Sequence, residues 1–313
     1  MEFLKLIKKN EKNFGNPDTR RNWRSLCFFA MYSSNSKKNK DFELHLLTKK
    51  RSSAKDFLKY DKHVKKIFYL PETSGIILNF FIFKLLKQNE YKKCFIMHYG
   101  LRYYLLSKLA NIKEIFFYGI LKKNENIVKK SQRSTIQWLG GYPLNFRPII
   151  FYQQKFKQKN QVIFGIGGSG LNKKWNIEKY IQLAKLINSE KKVEILLAGG
   201  PEEANDALYI KKKLNQVNIG AKSLCEYKID ECIDFLVQSK IYIGNDTGFM
   251  HLSASLGLQS YGLFGDTPPN YASYNKKIVP ILPQGEKIIT HGSMMMNRIN
   301  PDYVFKNLDL DMI

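Results

Sequence analysis

IYIGNDTGFMHLSASLGLQSYGLFGDTPP, residues 241–269, carries the clearest architectural signal in the chain. Ile241, Tyr242 and Ile243 form a β-branched and aromatic run that ends at Gly244. Asn245-Asp246-Thr247-Gly248 then turns the chain. From Phe249 to Leu256 the spacing is helical, with Phe249, Leu252 and Leu256 on one stripe, and Gly257 stops that helix. A second apolar strand, Tyr261 to Phe264, closes into Gly265-Asp266-Thr267-Pro268-Pro269. The unit reads strand, polar turn, helix, strand, polar turn. Both turns fall at the carboxyl ends of parallel strands, the edge where open α/β sheets bind ligands.

Upstream, the same alternation recurs. Gln161 to Gly165 reads as a strand, followed by Gly167-Gly168-Ser169-Gly170 and by a helix over Ile177 to Ile187 that Asn176 is placed to cap. Val193 to Ala198 is a buried strand ending in Gly199-Gly200-Pro201, with helices over Glu203 to Leu214 and Ile229 to Gln238. Pro301 to Leu308 is a final short helix, with proline in its first turn.

The amino half repeats the pattern less cleanly. Strands are predicted over Phe42 to Thr48, Lys66 to Leu70, Cys94 to Met97 and Ile115 to Tyr118. Between them fall helices from Ser52, as cap, to Lys59, over Ile76 to Lys87 and over Leu101 to Leu109, and a polar helix over 126–139 follows. Residues 1–41 are the least readable. The division is an amino lobe over 1–145, a linker over 146–160 and a carboxyl lobe over 161–313.

Bulk properties bound the function. At 313 residues with 44% hydrophobic and 13% aromatic content, the chain has enough apolar sequence for two cores. Cys27, Cys94, Cys225 and Cys232 show no CxxC spacing and no signal peptide is legible, so a reducing, cytoplasmic setting is expected. A net charge of +24 suits an anionic partner, whether nucleic acid, acidic membrane or phosphorylated substrate. The lysine clusters over 34–66 and 121–133 lack the interleaved aromatics of a single-strand platform, so no nucleic acid is expected.

Gly165-Ile166-Gly167-Gly168-Ser169-Gly170 formally satisfies GxGxxG, but Leu171 to Asn176 intervene before the helix. The next strand carries Glu194 inside it rather than an acid at its tip, which argues against a dinucleotide site. A glycine turn with Ser169, Lys173 and Lys174 is better suited to gripping phosphate through backbone N–H groups and a point charge. Asp309-x-Asp311 formally makes DxD at the chain terminus, and no metal is assigned to it.

Asn245-Asp246-Thr247-Gly248-x-x-His251, then Leu263-Phe264-Gly265-x-Thr267-x-Pro269, resembles the signature of the glycosyltransferase family 9 heptosyltransferases. Gly168-Ser169, Lys173-x-Trp175 and Gly199-Gly200-Pro201-Glu202 match that family's other landmarks in order and spacing. The resemblance covers 161–313 almost throughout and is weaker from Phe42 to about Gly119, where Glu43 to Thr48 and Lys65 to Leu70 carry it.

The resemblance implies a GT-B architecture, two Rossmann-like α/β lobes facing a central cleft. It implies inverting, metal-independent transfer of heptose or a related sugar from a nucleotide diphosphate donor, ADP-heptose or another nucleotide sugar, with no cofactor. The acceptor would be the lipopolysaccharide inner core, reached in the cytoplasm with peripheral contact at the inner membrane. Ser169, Lys173, Asp246, Thr247 and Gly248 are the donor-binding residues it marks. Gly168, Gly200, His251 and His98 are further candidates, with His251 read as a buried hydrogen-bonding residue and Trp175 as packing. Asp246 is also a candidate N-cap for its helix.

One departure stands out. The family opens with a strand and a Gly-Asp loop whose aspartate is thought to be the general base, and an inverting displacement needs such a base. Upstream of Phe42 there is no Gly-Asp pair, and Asp18, after Gly15-Asn16-Pro17, is a poor substitute. The general base is therefore not identified. A divergent base, a truncated start, or a donor-binding pseudoenzyme without turnover are the alternatives.

Overall fold

The architecture is that of a computed structural model, which describes residues 44–62, 64–96, 101–117, 129–130, 133–134, 136–137, 150–152 and 157–313. The described residues fall into two compact units, 44–137 and 150–313.

In the first unit, β1 (Leu44–Lys49) runs parallel to β2 (Val64–Leu70), and β3 (Lys93–Ile96) runs parallel to β4 (Glu114–Phe117). The expected helix from Ser52 to Lys59 shrinks to α1 (Ala54–Phe57) behind a 3-10 turn over Lys50–Ser52. Ser53 breaks it: its φ of 50° is left-handed, which a helix interior does not tolerate. Ser52 Oγ accepts from Ala54 N at 3.3 Å, but the N-cap of the shortened helix is Ser53, not the expected Ser52. α2 (Gly75–Gln88) and α3 (Leu101–Leu109) match their predicted spans to within a residue. Leu78, Ile82 and Leu86, four apart, share one core with Leu106, Ala110 and Ile112. The part of the predicted 126–139 helix that is described, 129–130, 133–134 and 136–137, is helical.

The second unit is built on a six-stranded parallel sheet of order β10-β9-β8-β5-β6-β7. Its strands are β5 (Gln161–Gly165), β6 (Glu194–Ala198), β7 (Ala221–Ser223), β8 (Ile241–Asn245), β9 (Gln259–Leu263) and β10 (Ile278–Ile281). Every residue of β5 and β8 is buried, as expected for central strands covered on both faces. α4 (Ile177–Glu190) is capped by Asn176, whose side chain accepts from Glu178 N at 2.8 Å. α5 (Ala204–Asn215), α6 (Ile229–Gln238) and α7 (Gly248–Ser255) complete the crossovers, and α8 (Pro301–Lys306) follows the last strand.

The chain winds outward from β5 through β6 to β7, then returns to β8 beside β5 and winds the other way through β9 to β10. The strand order therefore reverses between β5 and β8. The loops after those two strands diverge there and leave a crevice at the carboxyl edge. The fold puts Gly167 to Lys174 on one side of that crevice and Asp246 to Gly248 on the other.

The sequence does not signal the two outer strands. β7 is only Ala-Lys-Ser, and β10 contains Pro280, which a sheet accepts at its edge. Both depend on a ready-made neighbour to pair with.

Candidate functional site

Asn245, fully buried at the end of β8, ties the crevice together. Its Oδ1 accepts from Trp175 N at 3.0 Å, and its Nδ2 donates to the carbonyls of Ile166 at 3.2 Å and Gly167 at 2.8 Å. One amide thus holds both ends of the glycine-rich loop. Trp175 is packing, as read: its Nε1 donates to Ile299 O at 2.9 Å and its ring meets Tyr180 edge-on.

Within that loop the adjacent lysines diverge. Lys174 Nζ lies 2.7 Å from Oε1 of Glu203, a buried carboxylate whose Oε2 accepts from Gly200 N at 2.7 Å. Gly200 therefore serves the turn after β6. Gly168 is needed because a Cβ there would stand 2.7 Å from Lys174 Cγ and 3.3 Å from Lys173 O. Lys173 closes a 3-10 turn over Leu171–Lys173, and it and Ser169 are half-buried at the same edge.

Across the crevice, α7 starts at Gly248 and its N-cap is Thr247, not Asp246. Thr247 makes no side-chain cap, so the amino end of the helix keeps its positive dipole end uncapped. Thr247 Oγ1 instead lies 3.4 Å from Tyr242 Oη, whose hydroxyl donates to Asn245 O at 3.0 Å. Asp246, relieved of capping, is partly exposed.

Asp246 Oδ1 lies 3.3 Å from His251 Nε2, one turn into the helix, and His251 Nδ1 pairs with Tyr274 Oη. A single tautomer fits both contacts: Nε2–H faces the carboxylate, and Nδ1 accepts from the tyrosine hydroxyl. Burial holds the His251 pKa below 6.5, with the hydrogen bond and charge of Asp246 pulling the other way. The imidazole is thus a neutral brace for Asp246, in line with its reading as a buried hydrogen-bonding residue.

This brace has a pH signature. The unfolded chain takes up the proton near pH 6.5 and the folded chain resists it. The corresponding stability is complete above about pH 6.5 and is lost as pH falls below it. His251→Gln is expected to flatten the fall in unfolding free energy between about pH 7 and pH 5 seen in denaturant titrations. An unchanged slope would refute the neutral assignment.

A fourth loop completes the site, and the sequence reading missed it. Met294 N donates to Asp266 Oδ1 at 2.8 Å and Met295 N to Gly265 O at 2.8 Å, which pins 290–296 to the end of β9. His291 on this loop stacks obliquely near Tyr271 and lies 3.3 Å from its hydroxyl. Burial lowers its pKa most, Lys173 lowers it further, and Asp266 and Asp246 raise it. Lys173, Asp246, Asp266 and His291, from three strand ends and a loop, therefore share one electrostatic neighbourhood. No periodicity marks 290–296. The only sequence clue is Gly265, where a Cβ would stand 2.4 Å from Met296 N.

His98 lies outside the described residues. The Asp309-x-Asp311 pair caps the last turn, Asp309 Oδ1 accepting from Asp311 N at 3.2 Å.

A family model described as glycosyltransferase family 9 (heptosyltransferase) matches residues 129–292, just over half of the chain, including Gly167 to Lys174 and Asp246 to Gly248. The chain belongs to glycosyltransferase family 9. It is a glycosyltransferase, and its two α/β units are of the GT-B class expected from the sequence. Lipopolysaccharide heptosyltransferase 1 of Campylobacter coli is 24% identical over 287 residues, which is 80% of this chain and 82% of that relative. Among solved structures, E. coli ADP-heptose lipopolysaccharide heptosyltransferase II superposes with a TM-score of 0.73 at 18% identity, covering 92% of this chain and 94% of that one. A family 9 glycosyltransferase from Veillonella parvula gives 0.71 at 13% identity, with 90% and 91% covered. E. coli heptosyltransferase WaaC, solved with ADP, gives 0.67 at 13% identity, with 90% and 94% covered.

Proposed function

We propose that this family 9 glycosyltransferase moves heptose, or a closely related sugar, from an ADP-activated donor to the lipopolysaccharide inner core by an inverting, metal-independent displacement. The observation that carries the reading is the uncapped amino end of α7 at the switch point, with Asp246 on one side and Ser169 and Lys173 across the crevice. Backbone N–H groups and the helix dipole at such an end favour an anion, and a nearby ammonium adds charge. A departing diphosphate gains negative charge as the sugar bond breaks, so this arrangement stabilises the transition state more than the ground state. Asp246, held by His251, suits hydroxyls of the donor sugar. The names of the Campylobacter and E. coli relatives support heptose and lipopolysaccharide as the donor and acceptor classes.

In this reading the protein works on the cytoplasmic side of the inner membrane, at its surface. Among the described residues no helix is long and apolar enough to cross a membrane.

The test is calorimetry with ADP and ADP-heptose, followed by an assay of ADP release with a heptose-free core acceptor. Saturable binding and acceptor-dependent release are expected. Absence of binding by either nucleotide would overturn the donor assignment, whereas binding without release would identify a pseudoenzyme.

A further inference from the structure

α2 and α3 of the first unit pack against each other and bury their inner stripes in one core. Their outer faces are not polar. On α2, Ile76, Ile77 and Phe80 are 84%, 68% and 65% exposed, and on α3, Leu101, Leu105 and Leu109 are 76%, 57% and 68% exposed. The three leucines recur every four residues and form a stripe along the outside of the helix. Single exposed apolar residues are ordinary, but six on two adjacent helices form a patch that marks an interaction surface.

The surrounding charge identifies the occupant. Exposed Lys84 and Lys87 continue the outer face of α2, and exposed Arg102 and Lys108 flank the leucines of α3. Neither helix contains an aspartate or glutamate; Glu72 and Glu90 lie beyond the ends of α2. Arg102 stands 5.0 Å from the centroid of the Tyr103 ring and Lys108 stands 5.8 Å from that of Tyr104, so half-buried tyrosines border the patch. Apolar side chains with a cationic rim and interfacial aromatics match a bilayer that carries anionic headgroups: the apolar groups enter the acyl boundary while lysine and arginine stay at the phosphates. A protein partner of ordinary composition gives no reason for a rim of one sign.

We propose that the outer face of α2 and α3 is a docking surface for an anionic lipid bilayer. For its purpose this rests on the membrane-anchored acceptor proposed above, but vesicle binding requires neither donor nor acceptor.

The experiment is flotation of the full chain with vesicles of phosphatidylglycerol and phosphatidylcholine, against vesicles of phosphatidylcholine alone. Two double variants are compared: Phe80→Asp with Leu105→Asp, and Arg102→Glu with Lys108→Glu. All four positions are exposed, and circular dichroism checks that each variant keeps its fold. The wild type is expected to float with the anionic vesicles. Each variant is expected to lose at least tenfold in partitioning while binding ADP as the wild type does. A wild type that ignores anionic vesicles, or variants that float unchanged, would overturn the proposal. So would a wild-type dimer in sedimentation velocity that the apolar variant dissociates, because a second copy of the chain would then be the occupant. Should the apolar variant unfold, the charge variant decides alone.

Discussion

Lys173→Ala is expected to lower glycosyl transfer by about 10²- to 10³-fold, the usual effect of removing one group aimed at developing charge, and Asp246→Ala, which removes the acceptor for the donor sugar's hydroxyls, by about 10- to 10²-fold. Lys173 is half-buried at the edge of the crevice and in the electrostatic reach of His291. Its loss is expected to lower the melting temperature less than the loss of its neighbour, which pairs with a buried carboxylate. The neighbouring Lys174→Ala is the informative contrast. It strips the partner from the Glu203 carboxylate, which is 1% exposed, and a buried charge left unpaired costs several kcal/mol. Because the Lys174 side chain is itself 23% exposed, about 2–3 kcal/mol is a discounted expectation. Steady-state kinetics and thermal melts on the pair separate the roles. Equal melting temperatures for the two alanine variants, or full activity in Lys173→Ala, would refute the assignment.

Gly244→Ala is expected to abolish cooperative folding, or at least to lower the melting temperature by roughly 10 °C. Gly244 pairs in register with Gly165 across the two central strands. A Cβ on Gly244 would stand 2.5 Å from the backbone N and O of Gly165. The obstacle is backbone in the middle of the sheet, so no rotamer change relieves it, and β5 must part from β8 at the switch point. Gly257→Ala is the control. It has a φ of 98° but nothing within 4 Å of its Cβ, so it should cost only about 1 kcal/mol of backbone strain. Circular dichroism melts distinguish the two, and comparable melting temperatures would show that the strand pair tolerates opening.

Several features of this arrangement are legible in one dimension. β5, β6 and β8 each hold a consecutive apolar run, Val162 to Phe164, Ile195 to Ala198 and Ile241 to Ile243, because both faces of a central parallel strand are covered. α4 announces itself by its buried stripe and by Asn176, and α6 matches its predicted span. Such signals are local, so they survive without knowledge of neighbours. Ser53 shows the limit. A left-handed residue cut the first helix short, and nothing in Lys-Arg-Ser-Ser-Ala foretells that. β7 and β10 failed to signal for another reason: an edge strand is made by its partner's free hydrogen-bonding groups more than by its own side chains.

The candidate site divides in the same way. Sequence by itself determined the family, the alternation of strand and helix, and the loops that end the strands, because turn residues and apolar periodicity are properties of short segments. Only the tertiary structure decided what each residue in those loops does. It gave the capping position to Thr247 and turned Asp246 toward a neutral His251. It drew Lys174 inward to Glu203 and left its neighbour Lys173 at the crevice, and it brought His291 in from a loop without pattern. Those assignments depend on which charges and donors are brought within a few ångströms of one another, and that distance is set by the order of strands across the sheet.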